Sequence, residues 1–521
     1  MFLRLCLAMA LVAIAAAGPA SSAASYRYPR HFEGQLGLID LPGGEEWAVS
    51  GVDGLVPLGK GLKPPKNDKR GFPILAGAVV ALNCTTTDAN GQCTYVSSSD
   101  ASVLQPAPVP TQSKTPSAQK LLVMIINLPS CSLPNSLTES AVRSLYLGPN
   151  QDGTAGHAIK FEQCSYGTLT YNVAAFKALV VTPSCTTLMK VSCSYSDFSN
   201  AADAAAKALI GTTAFSSYTH YTYLLPPGLE GVCGWSGLAY VPGQQTWLQT
   251  SSYGVNRWAT VMQESIHTAM GRGDACPNAP ELFYMGWASA AAGGSNLNSA
   301  AVPAGTPMTF NLPATYLTAS GNFLRIKPDW LPGYTTSTSS SSVNFYVSLR
   351  MAKIGDATLG TTYASKVNVH YVNATMDNSF PNSYPHEDRR ITYHSGIAPM
   401  STSTALGTFN LMVYAGSWIG TDIMRVHVCR YVSSSAECPT LAALESRPKP
   451  PSPAPRTPSP PVRPPGLPPP SAFPSPPTSP PRPPPPSPSP PSPPSPPKGG
   501  GSAKPGGNKG RRLLRRGGAR S

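Results

Sequence analysis

The chain reads as α/β, with a central mixed domain lying between two β-rich regions and a proline-rich tail that cannot fold. Three observations predict this. The run Leu121-Leu-Val-Met-Ile-Ile-Asn127 is continuously apolar, as a strand covered on both faces must be. Helix signals follow it in alternation with strand signals. Finally, 29 of the 59 prolines fall between Pro448 and Pro497, where Ser-Pro and Pro-Pro repeats allow only extended polyproline II.

Taken in order, residues 1–24 have the form of a signal peptide. Arg4 supplies the positive start, Leu5 to Ala17 the apolar core, and Ala20 to Ala24 the small residues of a cleavage zone. The apolar run is shorter than the roughly 20 residues a membrane span needs, so no span is expected in the mature chain. Ten cysteines then remain, an even number that in an oxidising compartment reads as disulfides rather than ligands. The closest pairs in sequence are Cys84 with Cys93, Cys185 with Cys193, and Cys429 with Cys438. Asn83-Cys-Thr85 and Asn373-Ala-Thr375 are glycosylation sequons.

Residues 30–105 alternate apolar stretches, Leu36-Gly-Leu-Ile-Asp-Leu41 and Ile74-Leu-Ala-Gly-Ala-Val-Val-Ala-Leu82, with Gly, Pro and Asp turns, which predicts a small β unit closed by the Cys84 and Cys93 loop. Residues 106–120, rich in Pro, Ser and Thr, read as a linker. The central domain is placed at 121–301. In it, Ser136-Leu-Thr-Glu139 has the form of a capping box for a helix that Gly148 closes. Strands follow at Leu169 to Val173 and Lys177 to Val181, then an Ala-rich helix from Asn200 to Ile210 with Ser199 as cap and Gly211 as stop. His220 sits in a strand alternation and reads as packed or exposed rather than ligating. Gly237-Leu-Ala-Tyr-Val241 and Thr246-Trp-Leu-Gln249 predict two strands flanking a cleft.

Residues 302–445 return to strand patterning, clearest at 345–350, 366–372 and 409–414, and predict a β-sandwich-like domain. His370, His386, His394 and His427 are scattered through it without ligand spacing. The proline-rich segment spans 446–497, and 498–521 is a Gly-rich tail with eight basic residues and no acid. All 25 acidic residues precede Arg447, whereas 13 of the 39 Lys and Arg lie from there on. The body is therefore near neutral, and the net charge of +14 gives no reason to expect nucleic acid as a partner.

Chemistry concentrates in Trp258-Ala-Thr-Val-Met-Gln-Glu-Ser-Ile-His267. On a helix, Gln263 and His267 stand one turn apart on one face with Glu264 beside them. That is the zincin layout, in which side chains at i and i+4 hold a metal and the intervening Glu takes a proton from water. The assignment is His267 and Gln263 as metal ligands, Glu264 as general base, and zinc as the cofactor. Another divalent metal is the alternative, because the amide of Gln263 is neutral and a poorer donor than imidazole.

Around this motif the run Ala269-Met-Gly-Arg-Gly-Asp-Ala-Cys-Pro-Asn-Ala-Pro-Glu-Leu-Phe-Tyr-Met-Gly-Trp-Ala-Ser289 resembles the gametolysin family of green-algal matrix metallopeptidases. So do Tyr240 to Leu248, Ser144-Leu-Tyr-Leu-Gly-Pro-Asn150, Cys164-Ser-Tyr-Gly167 and Leu312-Pro-Ala-Thr-Tyr-Leu317, a resemblance extending from about Glu33 to Cys438. It implies a metzincin-like, zincin-type catalytic domain preceded by a propeptide at 30–105. It offers a thiolate from Cys131 or a prosegment cysteine over the metal as an alternative to structural disulfides, which are the preferred reading. Some members carry Gln at the first ligand position, so Gln263 fits.

The family's third ligand does not have a counterpart: the position six residues after His267 is Gly273. Ala269-Met270-Gly271 instead resembles the family's Met-turn joined directly to His267-Thr268. Three residues of helix advance only about 4.5 Å, too little to leave the helix, present a ligand and return. Asp274 is a substitute only with a rearranged turn.

The resemblance implies a secreted peptidase of the extracellular matrix or cell wall, acting on Pro- and hydroxyproline-rich glycoproteins like the wall modules that the tail itself resembles. Its basic end is suited to acidic matrix polysaccharide. The alternative is a catalytically impaired pseudopeptidase or a matrix-binding wall glycoprotein.

Overall fold

The computed structural model describes residues 31–88, 92–108, 115–266, 274–334, 342–380, 391–403 and 406–446. Residues 1–30, which hold the expected signal peptide, the tail from 447 onward and the sequence around His386 lie outside them. The described chain is mixed α/β, with many strands and few, mostly short helices.

Ten strands form one sheet. Five come from the N-terminal region: β1 (His31–Leu41), β2 (Gly44–Gly51), β3 (Gly54–Pro57), β4 (Val79–Asn83) and β5 (Ala101–Gln105). Five follow: β6 (Leu121–Ile126), β7 (Lys177–Val181), β8 (His220–Leu225), β9 (Gly237–Val241) and β10 (Gln245–Gln249). The order is β7-β6-β8-β10-β9-β1-β2-β3, with β4 also on β1 and β5 on β4. Pairing is parallel from β7 through β6 and β8 to β10, and antiparallel from β10 to β9 and from β9 to β1.

All six residues of β6 are buried, as its unbroken apolar run predicts. Leu121, Val123 and Ile125 face one core, shared with helices α1 (Glu139–Leu147) and α2 (Gly156–Ser165); Leu122, Met124 and Ile126 face a second, shared with α3 (Tyr195–Ile210). Each such side chain contributes roughly 1.5–3 kcal/mol on burial.

Both long-helix stops hold: Gly148 and Gly211 have φ of +85° and +83°, which favours glycine. The starts differ from expectation. Thr138, not Ser136, caps α1 by accepting from the Ala141 amide. Ser194, not Ser199, caps α3, because Tyr195 and Phe198 are pulled into the second core and carry the helix a turn and more upstream. Ser199, inside the helix, donates back to Ser196 O at 3.1 Å. Part of the stretch read as a linker is strand: Ser117–Gln119 pairs in parallel with Leu169–Tyr171.

Beyond the sheet, α4 (Trp258–Ile266) and α5 (Ala279–Tyr284) lead into two further sheets. One holds Ser289–Ala290, β12 (Ser320–Ile326), β13 (Val343–Arg350), β14 (Lys366–Asn373) and β15 (Thr392–Ile397); the other holds β11 (Met308–Pro313), β16 (Leu411–Trp418), β17 (Ile423–Arg430) and Ser401–Thr402. Leu324, Phe345 and Val367 of the first meet Leu312, Val413 and Val426 of the second in one core.

The ten cysteines from Cys84 to Cys438 form five disulfides. Cys84–Cys93 and Cys429–Cys438 pair locally as expected. Cys185 does not pair with Cys193. Cys131–Cys185 and Cys193–Cys233 form instead, all four cysteines packing at the second core, and Cys164–Cys276 is the fifth. With Cys131, Cys84 and Cys93 all in disulfides, none of these three is a free thiol that could cover a metal. No described helix is long and apolar enough to cross a membrane.

Candidate active site

Helix α4 is oriented by its apolar side. Trp258, Val261 and Met262, at helical spacing, pack into the core that also holds Leu248, Leu282 and Trp287. Thr260 fixes the preceding loop by donating to Tyr253 O at 2.8 Å. The opposite side then carries Gln263, half-buried, and Glu264, only 8% exposed.

Glu264 lies over β9. A Cβ at Gly237 would come within 2.6 Å of Glu264 Cγ and 3.0 Å of its Oε1, so the bare glycine is what leaves room for the carboxyl. No hydrogen bond to that carboxyl is present among the described residues. Burial pushes its pKa up to about 8, and the charge of Asp40 on β1 adds to the rise. Asp40 reaches this neighbourhood because β1 pairs with β9, Leu38 opposite Val241 and Ile39 opposite Tyr240. Neither Gly237 nor Asp40 stands out in the sequence; only the sheet brings them to Glu264.

His267 lies outside the described residues, as does Gly273, the position of the absent third ligand. The chain is firmly held where it re-emerges. Arg257, just before α4, pairs with Asp274 at 3.3 Å. This sets the Asp274 carboxylate, which the sequence offers as a substitute ligand, against a guanidinium. Thr358 donates to Asp274 O at 2.5 Å, Cys276 N donates to Asp356 Oδ1 at 2.7 Å, and Arg350 Nη2 donates to Cys276 O at 3.0 Å. Arg350 and Asp356, both buried, meet at 2.6 Å. Asn278 and Glu281 then form the capping box that starts α5.

His220 is packed as expected, its ring nitrogens 3.1 Å from Gln119 Nε2 and 3.0 Å from Thr219 Oγ1. His427 is held by Glu445 at 2.8 Å, and His370 is buried beside the Tyr393 ring. Among the described residues, no three His, Cys, Asp or Glu side chains converge as a metal site. Among the described residues, Glu264 is thus a buried carboxyl without a hydrogen-bond partner, held against glycine, with one neutral oxygen donor, Gln263, next to it.

A family model described as Gametolysin peptidase M11 matches residues 120–407, from just before β6 into the C-terminal sheets. No curated protein and no solved structure matches the chain.

Proposed function

Because this chain belongs to the gametolysin M11 peptidases, a metallopeptidase family, we propose that it is a secreted metalloendopeptidase cleaving Pro- and hydroxyproline-rich glycoproteins of the extracellular matrix or cell wall. Gln263 and His267 would hold the metal, zinc or another divalent ion. Such an ion supplies Lewis acidity toward a peptide carbonyl and toward water. Glu264, in its ionised form, accepts the proton of the attacking water and returns it to the leaving amine. The observation that carries this reading is the buried Glu264 carboxyl, accommodated by Gly237 and without a hydrogen bond among the described residues. The five disulfides suit export to an oxidising compartment. Contact with acidic polysaccharide through the basic tail completes the proposal.

The second reading is a pseudopeptidase that binds matrix without cutting it, favoured by Gly273 at the third-ligand position. Metal content of the full chain, measured beside hydrolysis of a Pro-rich wall glycoprotein by wild type and Glu264→Ala, separates the two. Bound metal with cleavage lost on substitution is the expected result; absence of both metal and cleavage selects the pseudopeptidase.

A further inference from the structure

We propose that the N-terminal ends of β6, β7 and β8 form a binding cleft for an acidic glycan, an oligosaccharide bearing carboxylate or sulfate groups. The proposal stands on the body of the chain alone, apart from the basic tail and from the peptidase reading.

Charge comes first. The cleft has a volume of about 400 Å³ and is lined by Lys120, Phe176, Lys177, Ser217 and Tyr218, with the small side chains of Ala174 and Ala175 leaving it open. No carboxylate lines it, and neither ammonium is in an ion pair among the described residues. The two charges belong to one face. Lys120 continues the alternation of Leu122 and Met124, and Lys177 that of Leu179 and Val181, all toward the second core, against which Tyr218 also packs. Because Lys177 is in register with Leu122, the two lysines are roughly 8 Å apart at the backbone. Two like charges this close, both unpaired in a body that is otherwise near neutral, favour a ligand with more than one anionic group.

The rest of the lining suits a sugar. Tyr218, half-buried, supplies an apolar ring with a polar tip. Ser217 is exposed; it donates to Ala214 O at 2.7 Å and keeps its lone pairs for a sugar hydroxyl.

The walls are fixed without a ligand. On one side Arg143 donates to Phe176 O at 2.7 Å and Val173 O at 3.2 Å, its guanidinium 5.7 Å from the centre of the Phe176 ring. On the other, the Tyr221 hydroxyl donates to Phe215 O at 3.0 Å and lies 3.2 Å from Tyr218 O. Thr219 joins the two sides, its hydroxyl accepting from Lys120 N at 2.9 Å and its amide donating to Lys120 O at 2.9 Å. A frame already held in place around two uncommitted lysines loses little freedom on binding.

Position and compartment agree with this ligand. Glu264 lies over Gly237, which pairs with Leu248 near the C-terminal end of β10, and β10 runs parallel to β8. The cleft is at the other end of these strands, so a bound glycan leaves the Glu264 end clear. The five disulfides suit an oxidising compartment, which favours an extracellular glycan over a nucleic acid as the polyanion.

Lysine footprinting of the full chain tests the cleft residue by residue. Acetylation rates are read by mass spectrometry with and without hexagalacturonate, which carries carboxylates, or a carrageenan hexasaccharide, which carries sulfates. Lys120 and Lys177 are expected to be protected several-fold by at least one of the two, and the one that protects names the anionic group. Lys63, exposed and outside the cleft, should react at an unchanged rate. Lys177→Ala should raise the oligosaccharide concentration that half-protects Lys120 about tenfold or more, and Tyr218→Ala should raise it several-fold. Equal unfolding midpoints show that both variants are folded. Protection by neither oligosaccharide overturns the proposal, as does half-protection of Lys120 at the same concentration in wild type and Lys177→Ala. Equal protection by sodium sulfate at matched ionic strength reduces the cleft to a simple anion site and overturns the glycan assignment. Protection confined to Lys498, Lys504 and Lys509 overturns the cleft and leaves the tail contact standing.

Discussion

The side chain of Glu264 rests on the bare α-carbon of Gly237, which leaves 2.6 Å between its Cγ and the place a methyl group would occupy. A Gly237→Ala chain must therefore push the carboxyl away or shift β9. Overpacking of this kind costs about 1–3 kcal/mol. We expect kcat/KM to fall at least tenfold while the unfolding midpoint moves by only a few degrees. Gly231→Ala, where nothing lies within 4 Å, is the control and should change neither. Equal activity in the two variants removes Glu264 from the reaction.

What the sequence allowed and what it hid follow from how far each signal reaches. The β6 run was legible because a strand covered on both faces must be apolar at every position. Gly148 and Gly211 were legible because a helix end in a positive-φ conformation favours one residue type. The start of α3 was misplaced because Ser199 has the chemistry of a cap, and only the burial of Tyr195 and Phe198 shows that the helix continues through it. Cys185 and Cys193 invited a local pairing, yet their partners are Cys131 and Cys233. Asp40 had no signal at all, since its nearness to Glu264 is created by β1 meeting β9.

A dependence of stability on acid is expected at His157. Its ring is buried against Tyr146, its Nε2–H donates to Val255 O at 2.9 Å, and burial lowers its pKa to about 4. Unfolded, the same ring titrates near 6.5. Between those values the unfolded chain binds a proton that the folded chain does not, so this contribution is complete above about pH 6.5 and is lost as the pH falls toward 4. The loss amounts to about 3 kcal/mol. His157→Gln keeps an N–H for Val255 and does not titrate. Urea unfolding of both chains from pH 7.5 to 4 should show wild type losing ground to the variant only below about 6.5; a constant difference contradicts the assignment.

The segment that follows the site is clamped from the C-terminal sheets, and the clamp should be sensitive to one atom. In Asp356→Asn the guanidinium of Arg350, only 5% exposed, loses its counter-charge while staying out of water. Leaving a buried charge uncompensated costs about 3–5 kcal/mol. Denaturant unfolding should register that loss. Amide exchange should also quicken at Cys276, whose N–H the Asp356 carboxylate accepts at 2.7 Å. A loss below about 1 kcal/mol would mean that the disulfide Cys164–Cys276 holds the segment unaided.

The ligand assignment makes its own forecast at Gln263. If its amide oxygen and His267 share a divalent ion, replacing the amide by imidazole supplies the donor that zinc favours, in the same place on α4. Gln263 is half-buried beside Glu264 rather than locked in the core, so a ring of similar length can be accepted there with little cost in packing. Gln263→His should therefore keep zinc through dialysis against a chelator concentration at which wild type loses it, with an affinity gain of at least tenfold by competition with a zinc indicator. Hydrolysis, restored by zinc in both chains, should survive more chelator in the variant. If Gln263→His and wild type release metal at the same chelator concentration, residue 263 is not a ligand, and whatever metal the chain holds is bound elsewhere.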